Sequence, residues 1–261
     1  MGCLKITYYY PQMQVLRTRE PERSHEEKSV QRFISMDPLA EKYYSVSPYA
    51  AFLNNPVKYI DPDGRDVLIW YKNDENKWRQ WSFTGSNQDK APKNQFISDF
   101  IMAYDYNVKN GGGDKVKEAA TATNYTLNLV QTENSSNFQL TFRGSQTEGT
   151  VFWNPSQGIE TSKGTLSPAT VLEHEMDHGV QWQTNTVQYL KDRDVNKSPD
   201  PHFRSKEEKR VITGSEYKTG VANKELRPIP KGRESDDSSY RRHGGGVRVS
   251  VISPISNIKK Q

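Results

Sequence analysis

Two histidines and one glutamate in the middle of the chain have the spacing of a metal site. The stretch VLEHEMDHGVQWQ contains His174, Glu175 and His178 in the order His-Glu-x-x-His. Residues four apart on a helix share one face, with Cβ atoms about 5–6 Å apart, so both imidazoles could bind one ion. Glu175, one position further round, could take a proton from an attacking water. The pattern therefore predicts a zinc ion and hydrolytic chemistry.

The residues around the motif predict that it lies on a helix packed against a core. Ser167 is a suitable N-cap, and Pro168 suits the first helical position. Gly179 would let another element approach closely. Such a motif can also occur by chance on a solvated helix face. Apolar residues at helical spacing argue against that alternative, because they would form a buried face: Val171, Leu172, Met176 and Val180.

A third metal ligand must come from elsewhere in the chain. Catalytic zinc takes three protein ligands and leaves one position open. Residues 204–225 predict a second helix with glutamates in its first turn. Ser205 and Glu208 could alternatively form a Ser-x-x-Glu capping box, in which case another glutamate would be the ligand. The candidates are His202, Glu207, Glu208, Glu216 and His243.

The glutamate pair and the residues after it resemble the clostridial neurotoxin light chains and related bacterial effector zinc proteases. In those proteins a Glu-Glu pair beyond the motif precedes a stretch with Thr and Gly. Here Glu207 and Glu208 precede Thr213-Gly214. The second glutamate of the family pair binds the metal, so the resemblance implies that Glu208 is the third ligand. If Glu208 is the capping residue instead, Glu207 or Glu216 takes this role.

A protease also needs a group that stabilises the oxyanion, commonly Tyr, His or Arg. The segment SSYRRHGGG, residues 238–246, offers Tyr240, Arg241, Arg242 and His243 before a glycine run. In the resembling light chains an Arg and a Tyr near the end of the domain do this. The resemblance therefore implies that an Arg and a Tyr of this segment have this role. With His243 added on chemical grounds, the predicted catalytic residues are Tyr240, Arg241 and His243. An exposed basic loop is the alternative.

The segments before the motif predict a hairpin and two helices. Residues 66–72 and 77–83 alternate around a short polar turn, which is typical of paired strands. Residues 94–109 have the apolar spacing of a helix packed on a core. The glycines at 111–113 would end this helix, and residues 114–122 would begin another.

Three strand-like runs precede the motif helix, at 125–132, 137–144 and 149–155. Their short turns predict an antiparallel meander. The last run could be an edge strand that pairs with an extended substrate. Strands followed by such a helix resemble the order of the zincin fold. We therefore predict an α+β, zincin-like fold with a small antiparallel sheet, an active-site helix and a second ligand-bearing helix.

Residues 32–65 are dense in Pro, Asn, Asp and Tyr, which is typical of turns with aromatic anchors. This segment resembles the terminal part of the RHS-repeat-associated core domain in four motifs: FISMDP at 33–38, SPY at 47–49, NNP at 54–56 and DPDG at 61–64. In that family a variable toxin domain follows the last motif. The resemblance implies an RHS core remnant at 32–65 and a toxin domain at 66–261. The residues before the remnant, 1–31, are largely charged and aperiodic, which predicts an exposed or disordered lead-in.

Some members of the RHS family cleave themselves after the last motif, with aspartates that map to Asp37 and Asp61. In this chain Arg65 follows the glycine, where the cleaving members usually have leucine. Asp-Pro pairs also commonly initiate turns. Self-cleavage after Gly64 and a simple turn are the two alternatives.

Composition restricts the partners and the compartment. The formal net charge is +4 and basic residues are scattered among acidic ones, so we expect no nucleic-acid interface. The single cysteine, Cys3, excludes an internal disulfide framework. No apolar run is long enough for a membrane helix. The first residues lack a secretory signal. We expect synthesis in the cytoplasm, followed by export or delivery to a target cell through a specialised secretion system.

These patterns together predict a zinc-dependent endopeptidase that acts as a bacterial polymorphic toxin, with a protein substrate and a cognate immunity protein as partners. His174, His178 and Glu208 would bind the metal, and Glu175 would be the general base. A zinc deaminase is excluded because its Pro-Cys-x-x-Cys signature needs two cysteines. Three alternatives are left. A zinc amidase would also use a metal-activated water, a nuclease toxin is supported by the Arg-Arg-His run, and the third is an inactive RHS-derived interaction module.

Overall fold

The computed structural model describes residues 67–122, 124–143, 146–200, 202–228 and 246–260. All of them fall within one unit, Gly64–Gln261. The segments that resemble the RHS core, and the self-cleavage position after Gly64, lie outside the described residues. The same is true of three predicted catalytic residues, Tyr240, Arg241 and His243.

A mixed five-stranded sheet organises the described chain. Its strands are β1 (Val67–Lys72), β2 (Trp78–Phe83), β3 (Leu127–Gln131), β4 (Asn137–Arg143) and β5 (Gln146–Trp153). They lie in the order β2-β1-β3-β5-β4. β1 and β2 form the predicted hairpin, with Val67 opposite Phe83. β3 runs parallel to both β1 and β5, whereas β4 runs antiparallel to β5.

The predicted antiparallel meander of the last three strands is wrong, because β5 lies between β3 and β4 and runs parallel to β3. Burial explains this order. Val151 and Trp153 of β5 are fully buried, whereas β4 exposes Gln139. A strand with a large buried face suits the interior of a sheet, and a more polar strand suits its edge. The run at 149–155 is therefore not an edge strand, and β4 has that position.

The other strands of the described residues form two smaller sheets. β6 (Gln157–Thr161), β7 (Gly164–Leu166) and β10 (Val247–Ser250) form an antiparallel sheet in the order β10-β6-β7. β8 (Pro199–Asp200) and β9 (Arg204–Ser205) form a short antiparallel pair. The α+β class is confirmed, but the main sheet is mixed and not antiparallel as predicted.

Besides a short 3₁₀-helix at Gln88–Lys90, the described residues contain six α-helices: α1 (Gln95–Asn110), α2 (Asp114–Ala120), α3 (Pro168–Thr184), α4 (Thr186–Arg193), α5 (Lys206–Val211) and α6 (Tyr217–Ala222). The predicted helix at 94–109 is confirmed as α1, which ends where Gly111 adopts a φ of 88°. The predicted helix at 204–225 is present but interrupted. A wide turn of π-helical type, Ile212–Glu216, joins α5 to α6, and Gly214 within it is not helical. Among the described helices, none combines the length and the apolar character needed to cross a membrane.

Helix α3 lies between two hydrophobic cores. Its residues Leu172 and Met176 belong to the larger core, which includes side chains of the five-stranded sheet, α1 and α2. Val171 belongs to a smaller core with Leu166 of β7 and Ile212 of the π-helical turn. Because both sides of α3 are covered, its polar side chains have to find partners inside the protein.

Candidate metal centre

Helix α3 begins as the sequence predicts. The Ser167 hydroxyl oxygen accepts the backbone N–H of Thr170, and Pro168 occupies the first turn. The indole N–H of Trp153 donates to the Pro168 carbonyl at 2.9 Å, which fixes this end of the helix against β5. The predicted apolar face is also confirmed, since four residues are buried: Val171, Leu172, Met176 and Val180.

Gly179, directly after the second histidine, lies where β3 and β4 pack against α3. A Cβ atom at this position would be 2.9 Å from the side chain of Leu127 and 3.3 Å from that of Phe138. The first distance is shorter than ordinary van der Waals contact, so the glycine allows the sheet to approach the helix. The predicted close approach is confirmed.

The three motif residues are buried side by side. His174, Glu175 and His178 are 4%, 8% and 6% exposed, so they do not lie on a solvated helix face. One potential ligand atom from each lies within 4.8 Å of those of the other two. The two imidazole Nε2 atoms are 3.1 Å apart. This group could bind a metal ion.

Glu208 of α5 faces both histidines. Its Oε1 lies 3.4 Å from Nε2 of His178, and its Oε2 lies 3.7 Å from Nε2 of His174. Its backbone N–H donates to the Ser205 hydroxyl at 3.2 Å, which caps α5. The cap and the approach to the histidines therefore occur together, since one uses the main chain of Glu208 and the other its carboxylate.

The other two glutamates considered as ligands lie behind the imidazoles. Oε1 of Glu207 is 2.9 Å from Nδ1 of His178. Oε2 of Glu216 is 2.7 Å from Nδ1 of His174, although this nitrogen makes no well-aligned hydrogen bond. Glu216 therefore lies close to the His174 ring, but outside the direction of a good hydrogen bond. His202 is exposed in the turn between β8 and β9, where its backbone N–H donates to Asp200.

These contacts assign the tautomers of the two histidines. With a metal bound, each Nδ1 would keep a proton facing a carboxylate, and each Nε2 would present its lone pair to the metal. Two lone pairs and the Glu208 carboxylate then converge on one place. Burial lowers the pKa of His178, but hydrogen bonds to Glu207 and Glu208 outweigh it and raise the pKa to about 10. The surroundings therefore favour a cation, either a proton or a metal ion that displaces it.

Three partners of this centre were not predicted from the sequence. Arg210 donates to Glu207 and to Asp177, and Ser215 donates to the other carboxylate oxygen of Asp177. Arg210 follows Glu207 by three residues, and this i, i+3 spacing of opposite charges was the available signal. Nothing in the sequence pattern links Asp177 of α3 to Arg210 of α5.

Tyr189 of α4, also unpredicted, forms one wall of the centre. Its ring packs edge-on to the His178 ring, with centroids 6.4 Å apart, and also contacts Phe138 and Trp182. Burial raises the pKa of its phenol, and the nearby carboxylates add to this effect. Tyr189 therefore stays neutral at this wall.

Comparisons of the chain with protein-family models, with curated proteins and with solved structures found no match.

Proposed function

We propose that this protein is a zinc-dependent endopeptidase with Glu175 as its general base. The observation that carries the proposal is that three potential metal ligands converge beside a further buried carboxylate, that of Glu175. The donors are Nε2 of His174, Nε2 of His178 and the carboxylate of Glu208. Glu175 completes the cluster. Three protein ligands with one position left open are the pattern of catalytic zinc.

The distances fit a zinc ion. Two nitrogens bound to one tetrahedral zinc at about 2.0–2.1 Å are roughly 3.3 Å apart. The two Nε2 atoms are 3.1 Å apart. Histidines that bind metals usually donate their other ring N–H to a carboxylate or carbonyl, which fixes the ring. Glu207 and Glu216 stand in that position behind His178 and His174.

The metal and the surrounding residues have different roles in the proposed reaction. Zinc, when bound, supplies a Lewis acid that polarises the substrate carbonyl and acidifies a water. Glu175 accepts a proton from the attacking water and passes it to the leaving amine. Glu207 and Glu216 orient the two imidazoles. The edge strand β4 packs beside α3 through Phe138, and its main chain could pair with an extended peptide.

The cellular role in this proposal is that of a bacterial polymorphic toxin or effector. It is supported by the resemblance of residues 32–65 to the terminal RHS core, after which a toxin domain follows. A protein substrate, a cognate immunity protein and delivery by a specialised secretion system belong to the same proposal.

The test combines metal analysis with a cleavage assay on the purified full chain. We expect about one zinc per chain. His174→Ala and His178→Ala should lose the zinc, whereas His202→Ala, which changes an exposed histidine, should keep it. On an unstructured protein substrate, the wild type should cleave in a chelator-sensitive way. Glu175→Gln should keep the zinc and lose about 10²–10⁴-fold in rate, because only the base is removed.

Other outcomes would select other functions. Full zinc content in the double variant His174→Ala/His178→Ala would reject the metal centre. Degradation of nucleic acid by the wild type and by Glu175→Gln alike would indicate a nuclease. A zinc-loaded wild type that cleaves no protein and no peptide library would indicate an inactive interaction module.

A further inference from the structure

Arg210 of α5 links two buried carboxylates behind the metal centre. We propose that Arg210 is a positioning residue, whose guanidinium holds Glu207 in the orientation that fixes the imidazole of His178. This inference rests on the proposed function, since it assigns work at the same centre to a side chain that touches neither the substrate nor the metal.

The guanidinium binds Glu207 through two parallel hydrogen bonds. Its Nε donates to Oε2 of Glu207 at 2.9 Å, and its Nη2 donates to Oε1 at 2.8 Å. Two parallel bonds of this kind fix the plane of a carboxylate as well as its position. The same Oε1 atom lies 2.9 Å from Nδ1 of His178. Arg210 therefore sets the direction from which Glu207 meets the imidazole.

A second set of bonds ties Arg210 to the motif helix itself. Its Nη1 donates to Oδ1 of Asp177 at 2.8 Å, and its Nη2 lies 3.3 Å from the Asp177 carbonyl. Asp177 directly precedes His178 in α3. The Arg210 side chain thus contacts both the main chain next to His178 and the Glu207 carboxylate behind its imidazole. These contacts fix the position of α5 relative to α3.

Charge and burial make this arrangement depend on an arginine. The side chains of Asp177 and Glu207 are 3% and 2% exposed, and that of Arg210 is 32% exposed. Two carboxylates this deeply buried need a cation beside them, and the guanidinium of Arg210 contacts both. A lysine would keep the charge but could not form the planar, two-pronged contact.

The test is the substitution Arg210→Lys in the full chain. We expect the zinc dissociation constant, measured by competition with a chromophoric chelator, to rise about 10–100-fold, as is typical when an outer partner of a metal ligand is lost. The absorption spectrum of the cobalt(II)-substituted protein should also change, because the His178 ring is held less firmly. Lys209→Met is the matched control. It breaks the ion pair between Lys209, the neighbour of Arg210 on α5, and Asp200 of β8, and it should change neither measurement.

A purely structural Arg210 gives a different result. In that case Arg210→Lys would lower the unfolding midpoint of the metal-free protein, but its zinc affinity and its cobalt spectrum would equal those of the wild type. This result would overturn the inference. If Arg210→Lys does not fold, the double variant Arg210→Met/Asp177→Asn removes the guanidinium together with one of its two carboxylate partners and keeps Glu207. It should fold and bind zinc more weakly than the wild type, and an unchanged affinity would also overturn the inference. A wild type that binds no zinc would instead reject the proposed function.

Discussion

Helix α3 meets buried glutamates in two regions, and their surroundings differ. At the metal centre, Glu207 contacts His178 and the guanidinium of Arg210. At the start of the helix, Glu225 accepts the backbone N–H of Ser167 at 3.0 Å and the hydroxyl of Thr170 at 2.7 Å. The pKa of Glu207 is held below its ordinary value by cationic partners, whereas burial raises that of Glu225 to about 7.

Glu173 of α3 resembles Glu225 in this respect. Its carboxylate accepts the backbone N–H groups of Lys115 and Val116 at 2.8 and 3.0 Å, at the first turn of α2. Burial raises its pKa to about 7 as well. Glu173 and Glu225, which serve helix ends, are therefore held by hydrogen bonds from neutral groups. Glu207, beside the candidate metal centre, is also held by the guanidinium of Arg210. This difference in partners separates the glutamates with a structural role from the one that could support a metal ligand.

The largest expected effect tests whether the metal centre is assigned correctly. Glu208→Gln removes a charged ligand, so zinc affinity should fall by more than the ~10–100-fold typical of an outer partner. Activity should recover partly when excess zinc is added. Chelator competition measures the first effect, and cleavage rates at increasing zinc measure the second. Normal zinc binding by Glu208→Gln, together with loss in Glu207→Gln or Glu216→Gln, would move the third-ligand role to that residue.

A matched pair of substitutions sharpens the comparison itself. Glu207→Gln and Glu225→Gln each replace a buried glutamate by its neutral isostere. The first should weaken zinc binding about 10–100-fold, because the support of His178 loses its charge. The second should leave the zinc affinity unchanged. Equal losses of affinity in the two variants would show that the two regions do not differ in function, and the comparison would fail.

The smallest expected effect is a pH dependence of stability at Glu225. Its pKa is about 7 in the folded protein and about 4.3 in an unfolded chain. Between these values the folded state binds more protons, so the stabilisation is full below the lower value and is lost as the pH rises through the upper one. From about pH 5 to about pH 7.5, the unfolding free energy of the wild type should fall by roughly 1–3 kcal/mol relative to Glu225→Gln.

Denaturant titrations of both proteins at the two pH values provide the measurement. Parallel pH profiles would mean that Glu225 stays ionised when folded. The start of α3 would then resemble the metal centre, and the electrostatic difference between the two regions would disappear.

Local patterns predicted part of this molecule well. The cap and proline before α3, its apolar face and the close approach at Gly179 depend on neighbouring residues, and the structure agrees with all of them. The order of β3, β4 and β5 could not be predicted, because it depends on which strand has the larger buried face in the assembled sheet. The contact of Asp177 with Arg210 joins two helices far apart in the chain, so no local spacing reveals it.

The positions of the glutamates likewise could not be predicted fully from local sequence patterns. The resemblance pointed to Glu208, which faces both imidazoles, but the sequence left Glu207 and Glu216 as alternatives. Whether a carboxylate meets the Nε2 or the Nδ1 side of an imidazole depends on how α5, the π-helical turn and α3 dock. That docking is a tertiary property, which helical periodicity alone does not specify.

The histidines and glutamates of the candidate metal centre come from two short stretches of chain, residues 174–178 and 207–216. An ion held by both stretches would act as a cross-link that closes the loop between them. Closing such a loop removes conformational freedom from the unfolded chain and couples binding of the ion to folding. Removal of the ion by a chelator would then affect stability as well as catalysis. It would remove this cross-link and lower the free energy of unfolding, while Arg210 and Asp177 still join α5 to α3.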